Sequence, residues 1–101
     1  MKPIFDYLDY RDPLKEAYEA RRTSNPLYTY RQLAENLGLS PCSMFMILHK
    51  EAHLPVRSQT HVIEFLGLKG RAASYYRLLV AVGLETNEKS RHAIIERARN
   101  L

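Results

Sequence analysis

The chain has 101 residues, of which 46% are hydrophobic and ten are aromatic. It is long enough for one domain with a single core, which excludes a disordered tail. The formal net charge of +4 favours acidic partners such as nucleic acid, although ordinary solubilising charge explains it equally well. A single cysteine, Cys42, excludes an internal disulfide and a Cys-based zinc site, and favours a reducing, cytoplasmic setting. Without a long apolar run or a signal-peptide pattern, membrane insertion and secretion are not expected.

Start and stop signals divide the chain into five to six short helices with no β-strand. This pattern predicts an all-α compact bundle forming one domain, with its core at about residues 9–83. The first helix is predicted from Asp9 or Asp12 to Arg22. Asp12 supplies a capping side chain, and Pro13 suits the first turn of a helix.

The next two helices have the spacing of a helix-turn-helix. The second is predicted to open at Thr29, which forms a capping box with Gln32, and to close at Gly38, which tolerates the positive φ of a turn. The third is predicted at about residues 41–52, with Ser40 as its N-cap. The small and apolar side chains expected on the buried sides of these two helices are Leu33, Ala34, Leu37, Leu39, Met44 and Ile47.

Three further helices are predicted at about residues 56–66, 71–82 and 87–101, with Gly83 ending the second of them and Thr86 or Asn87 capping the third. In the pair Tyr75–Tyr76, one ring is expected to face the core and the other the solvent. The last helix is amphipathic, and its apolar stripe packs either on its own core or against a second copy. The residues of this stripe are Ile94, Ile95, Ala98 and Leu101.

Several segments resemble the N-terminal region of a bacterial paralogous family named for Fibrobacter. They are IFDYLDYR at 4–11, YEARR at 18–22, YTYR at 28–31, LGL at 66–68 and YYRLLV at 75–80. The resemblance covers nearly the whole chain. It implies a phage-repressor-like helix-turn-helix module of proposed bacterial regulators, followed in the family by a longer C-terminal effector segment that is either removed or never present here. The family tends to carry a glycine and basic residues before the fourth helix, whereas this chain reads KEAHLP at 50–55.

Duplex DNA is the partner that a helix-turn-helix predicts, with the third helix in the major groove and most naturally as a homodimer. On the outward face of that helix, His49 and Lys50 alone carry hydrogen-bond donors comparable to those of the usual base readers. The predicted base contacts are Cys42, Ser43, Met46, His49 and Lys50. The predicted phosphate contacts at the helix starts are Tyr30, Arg31, Ser40, Arg57, Ser58 and Gln59.

The alternative is a protein-interaction or dimerisation module that keeps the fold without sequence-specific DNA binding. The outward face of the third helix is unusually apolar, and exposed apolar patches commonly mark interfaces. The residues expected at such an interface are Phe45, Met46, Ile94 and Ile95.

Enzymatic activity is not expected, and neither is a cofactor or a metal. None of the four histidines lies in a nucleophile or phosphate-loop motif. His49 and His53 are four residues apart, but bound zinc normally needs three or four protein ligands. A redox role for Cys42 is an open alternative to a buried structural cysteine.

Overall fold

The computed structural model describes residues 2–101, and all regular structure in that range is helical. A short 3₁₀ turn, Ile4–Asp6, precedes the first α-helix, and a second one, Val56–Ser58, precedes the fourth. The six α-helices are α1 (Arg11–Ser24), α2 (Tyr30–Leu37), α3 (Pro41–Leu48), α4 (Gln59–Leu66), α5 (Gly70–Leu84) and α6 (Glu88–Arg99). The all-α prediction is therefore confirmed.

One continuous core joins the first five helices. Helix α1 packs against α3 and α4, α2 packs against the same two helices, and α5 joins α4 to the N-terminal 3₁₀ turn. The principal contacts of α6 are with α5, and α6 has no fully buried residue. The Cα radius of gyration is 13.6 Å, close to the value of about 13 Å expected for a compact domain of this size. No helix within residues 2–101 is long and apolar enough to cross a membrane.

The N-terminal segment is held to α5 by two tyrosines. Both Tyr75 and Tyr76 are buried, and their hydroxyls donate hydrogen bonds to the backbone carbonyls of Tyr7 (2.9 Å) and Tyr10 (3.0 Å). The expectation that one ring faces solvent is wrong, because the N-terminal segment folds back over the side of α5 that would otherwise be open.

The predicted boundaries of α2 and the start of α3 are confirmed. Thr29 and Gln32 form the reciprocal capping box, with bonds of 2.9 and 3.3 Å between side chains and backbone N–H groups. Gly38 ends α2 in the left-handed region at φ 70°. The Ser40 hydroxyl then accepts the N–H of Ser43 at 3.1 Å, so it caps α3 as expected.

The prediction that α3 extends to about Ala52 is wrong, since the helix ends at Leu48. Lys50 adopts φ 61°, and the N–H of Glu51 bonds to the carbonyl of Met46 at 2.8 Å. Together with the bond from Lys50 N–H to Ile47 O, this is a Schellman ending in which a lysine occupies the position that glycine usually takes. The sequence signal was absent because no glycine marks the turn.

Gly83 does not end α5, which continues to Leu84. A Cβ atom on Gly83 would lie 3.0 Å from Cε1 of the Tyr10 ring. Gly83 therefore does not form a turn. Its missing side chain allows α5 to approach the Tyr10 ring closely.

Two other helix starts differ from the prediction. At α1 the carboxylate of Asp9, not of Asp12, accepts the backbone N–H of Arg11 at 2.8 Å. The fourth helix is shorter than predicted, because residues 56–58 form a 3₁₀ turn. For α6 the Asn87 side chain caps the helix through Ser90 N–H at 3.1 Å, as one of the two predicted caps.

Candidate nucleic-acid interface

Helix α3 has one buried side and one solvent-facing side. Met44, Ile47 and Leu48 lie in the core, whereas Cys42, Phe45 and His49 are exposed. This division arises because the Gly38 turn lays α3 across α2 and α1, so that every third or fourth side chain points inward. The exposed Cys42 is not the buried structural cysteine that its isolation suggested. Ser43 and Met46 are partly buried at the boundary between the two sides.

An aromatic row leads from the core to the exposed side of α3. Tyr18 and Tyr30 stack with ring centroids 4.7 Å apart, and the Tyr30 ring meets Phe45 edge-on at 5.8 Å. Phe45 in turn stacks on the imidazole of His49 at 3.9 Å. These contacts hold Phe45 in place although its side chain is 45% exposed. No local pattern in the sequence predicts this row, since its members lie on three different helices.

The His49 ring has a defined orientation. Its Nδ1 lies 2.8 Å from the carbonyl oxygen of Phe45, which can only accept a hydrogen bond, so Nδ1 carries the proton. In the neutral imidazole, Nε2 is then an acceptor directed away from that bond. Such a group suits the amino groups of adenine or cytosine in the major groove better than the acceptor edge of guanine.

The start of α2 presents backbone donors and a cation together. Tyr30 and Arg31 occupy the first two helical positions, whose N–H groups have no partner within the helix. The Arg31 side chain is exposed, and the half-buried Tyr30 is fixed by its stack on Tyr18. This combination can bind a phosphate group. Ser40, by contrast, uses its hydroxyl on Ser43, whose Oγ lies 3.0 Å away.

The predicted role of Lys50 as a base contact is corrected by its position. Lys50 lies beyond the end of α3, and its Nζ is 3.0 Å from Asp12 and 3.5 Å from Asp9. The pKa of Lys50 is raised by its hydrogen bond to Asp12. The lysine therefore closes the α3 turn onto the start of α1, and its charge is balanced within the protein.

The three phosphate ligands predicted at the start of α4 differ in their exposure to solvent. Arg57 is exposed and Gln59 is partly exposed. Ser58 is 1% exposed, and its hydroxyl is buried without a hydrogen-bond partner in residues 2–101. The prediction for the Ser58 side chain is wrong, because the 3₁₀ turn rotates it into the core.

Arg22 is a further cation on this surface that sequence reasoning missed. It is exposed at the end of α1, and its charge acts on the hydroxyl of Tyr30. Burial is the main cause of the raised pKa of Tyr30, and the charge of Arg22 opposes that rise. The available signal was the four-residue spacing from Tyr18 to Arg22, which places both on the α1 side that meets Tyr30.

The remaining predicted residues lie apart from α3. Ile94 and Ile95 are half-buried on α6, which packs on α5. His53 is not aligned with His49 on one helix, and its Nδ1 lies 3.0 Å from the Tyr10 hydroxyl. Among residues 2–101, no group of three or more His, Cys, Asp or Glu side chains is arranged to hold a metal ion.

Phe45 and the imidazole of His49 thus form an exposed face on α3, and three exposed arginines lie at the end of α1 (Arg22), the start of α2 (Arg31) and the turn before α4 (Arg57). Comparison with known proteins found no match to a family model, to a curated protein or to a solved structure.

Proposed function

We propose that this chain is a DNA-binding domain of a transcriptional regulator, with α3 lying in the major groove of duplex DNA. The observation that carries the proposal is the division of α3: its inner side is locked in the core after a left-handed glycine turn, and its outer side faces solvent. A helix held in this way on a preceding helix is the arrangement that reads base edges in helix-turn-helix proteins.

In this proposal the contacts have separate roles. His49 reads a base edge through Nε2, and Phe45 and Cys42 provide apolar contact to thymine methyl groups. The α2 start, with Arg31, binds a phosphate, and Arg22 and Arg57 add positive charge. The resemblance to the Fibrobacter family supports a bacterial, cytoplasmic regulator. A dimer is expected, since one recognition helix reads few base pairs.

A second candidate is a protein-interaction module. Helix α3 carries no charged residue between Pro41 and Leu48, and Lys50 is already paired with two carboxylates. Phe45 is exposed and Met46 is partly buried, and both would then contact an apolar partner surface. The two candidates differ in their dependence on salt, because phosphate contacts release counterions and apolar contacts do not.

Fluorescence anisotropy with labelled random duplex DNA distinguishes the DNA-binding domain from the protein-interaction module. Three arginine contacts per domain are expected to give a plot of log affinity against log salt with a slope of roughly −3 per domain. The control is Arg77→Ala, which removes an exposed charge from α5. Undetectable binding at low salt would reject the DNA-binding proposal and favour the protein-interaction module.

Two substitutions distinguish phosphate contacts, which position the domain on DNA, from base contacts, which read the sequence. Arg57→Ala is expected to weaken binding to every sequence alike and to make the salt slope shallower by about 1. His49→Ala is expected to change the preference at one base pair by about 1–3 kcal/mol, because it removes the oriented acceptor. The measurement is affinity for a panel of duplexes selected from a random library. A uniform effect of both substitutions across the panel would contradict these roles.

A further inference from the structure

A groove separate from α3 runs between the N-terminal segment, α5 and α6. Its volume is about 450 Å³, within the range of roughly 300–1,000 Å³ typical of small-molecule sites. Leu8 at its edge is 88% exposed, an unusual position for a leucine beside other apolar side chains. The apolar residues that form most of its walls include Phe5, Leu8, Tyr75, Leu79, Val82 and Ile95.

The aromatic wall of this groove is fixed. Phe5 packs against Tyr75 with ring centroids 5.0 Å apart. The Tyr75 hydroxyl donates to the carbonyl of Tyr7, so the polar end of the ring is already bonded to the backbone. The wall therefore offers apolar surface that is present before a ligand arrives.

The charged residues that line the groove are both cationic. Arg91 and Arg99 lie on the same side of α6, with Ile95 between them, and no acidic residue in the described part of the chain lines the groove. Eight residues of helix separate the two arginines by about 12 Å along the axis. Arg99 is 3.2 Å from Glu96, whereas Arg91 has no ion-pair partner within residues 2–101.

Charge also distinguishes between possible occupants. Helix α6 carries four basic and two acidic residues, so its own charge is positive. Pairing with the same helix of a second copy would bring like charges together around the apolar stripe, which is unfavourable. An anionic group would instead gain charge-assisted hydrogen bonds from the guanidinium groups.

We propose that this groove binds a small amphipathic carboxylate, with its apolar chain along Leu79 and Ile95 and its carboxylate on Arg91 or Arg99. This site is distinct from the DNA-binding surface and does not depend on it. A ligand bound here would contact both α6 and the N-terminal segment, each of which packs on α5.

Isothermal titration with sodium octanoate, repeated with octanol and octylammonium, tests the proposal. We expect saturable binding of octanoate, and binding of the other two at least about tenfold weaker, because only the carboxylate pairs with arginine. Amide chemical-shift changes in two-dimensional NMR spectra should be confined to residues 5–8, α5 and α6. Absence of saturable octanoate binding, or equal binding of octylammonium, would overturn the proposal.

Variants of α6 provide the matched comparison. Arg91→Gln and Arg99→Gln, separately and together, are expected to weaken octanoate binding, with a loss of about tenfold in the double variant. Arg97→Gln removes the same charge from the same helix outside the groove and should bind as the unmodified chain does. Equal loss in Arg97→Gln would show that overall charge alone is responsible. Circular dichroism checks that each variant stays folded.

Discussion

Tyr10→Ala is expected to destabilise the domain by about 3–5 kcal/mol, the usual cost of removing a large buried aromatic ring. Tyr10 is 1% exposed, and its ring packs on Gly83 of α5 and edge-on against Tyr76 at a centroid distance of 6.3 Å. Its hydroxyl accepts the N–H of Leu54 at 2.8 Å. One side chain therefore joins α1, α5 and the segment after α3.

Tyr10→Phe distinguishes the contribution of the ring to stability from that of the hydroxyl. It keeps the packing and leaves the buried N–H of Leu54 unpaired, so a loss of about 1–3 kcal/mol is expected. Urea unfolding followed by circular dichroism measures both variants. Leu27→Ala is a control, because Leu27 is exposed and its loss should change the free energy of unfolding by less than about 0.5 kcal/mol. Equal stability of Tyr10→Ala and Leu27→Ala would contradict the central position of Tyr10.

Alkaline unfolding is the second large effect that we expect. Burial raises the pKa values of Tyr7, Tyr10, Tyr75 and Tyr76, and that of Tyr7 reaches about 12. An unfolded tyrosine ionises near pH 10. Between pH 10 and the folded pKa, the unfolded chain therefore binds fewer protons than the folded one, and stability falls as the pH rises.

The expected result is full stability below about pH 10 and a steep loss from there towards pH 12. Urea midpoints at a series of pH values measure it, and absorbance of tyrosinate at alkaline pH should appear together with the loss of helix. Tyr76→Phe is expected to be less stable at neutral pH, because it loses the bond to the Tyr10 carbonyl, but to have a shallower alkaline decline. A urea midpoint unchanged between neutral pH and pH 11.5 would contradict the expectation.

Local signals in the sequence determined most helix starts. The capping box of Thr29 and Gln32, the left-handed Gly38 and the caps Ser40 and Asn87 depend on side chains within three residues, so short-range chemistry was sufficient to predict them. The same applies to the buried side of α3, since apolar spacing along one helix indicates which side faces the core.

The candidate site was harder to predict from the sequence than the helix starts. Exposure of Cys42, Phe45 and His49 agrees with the predicted outward side of α3. Lys50 and Ser58 differ, because no glycine marks the end of α3, and Pro55 before the 3₁₀ turn does not indicate that the Ser58 side chain enters the core. The ammonium group of Lys50 is bound by the carboxylates of Asp9 and Asp12, and the side chain of Ser58 is buried.

The sequence by itself thus determined that the chain is helical, where α2 and α3 begin, and which side of α3 is buried, because these features depend on neighbours along one helix. Only the tertiary structure decided the pairing of Lys50 with Asp12, the contact of Gly83 with Tyr10, and the row from Tyr18 to His49. Each of these joins residues distant in the chain, and the distance between such residues is set by how the helices pack, which no local pattern records.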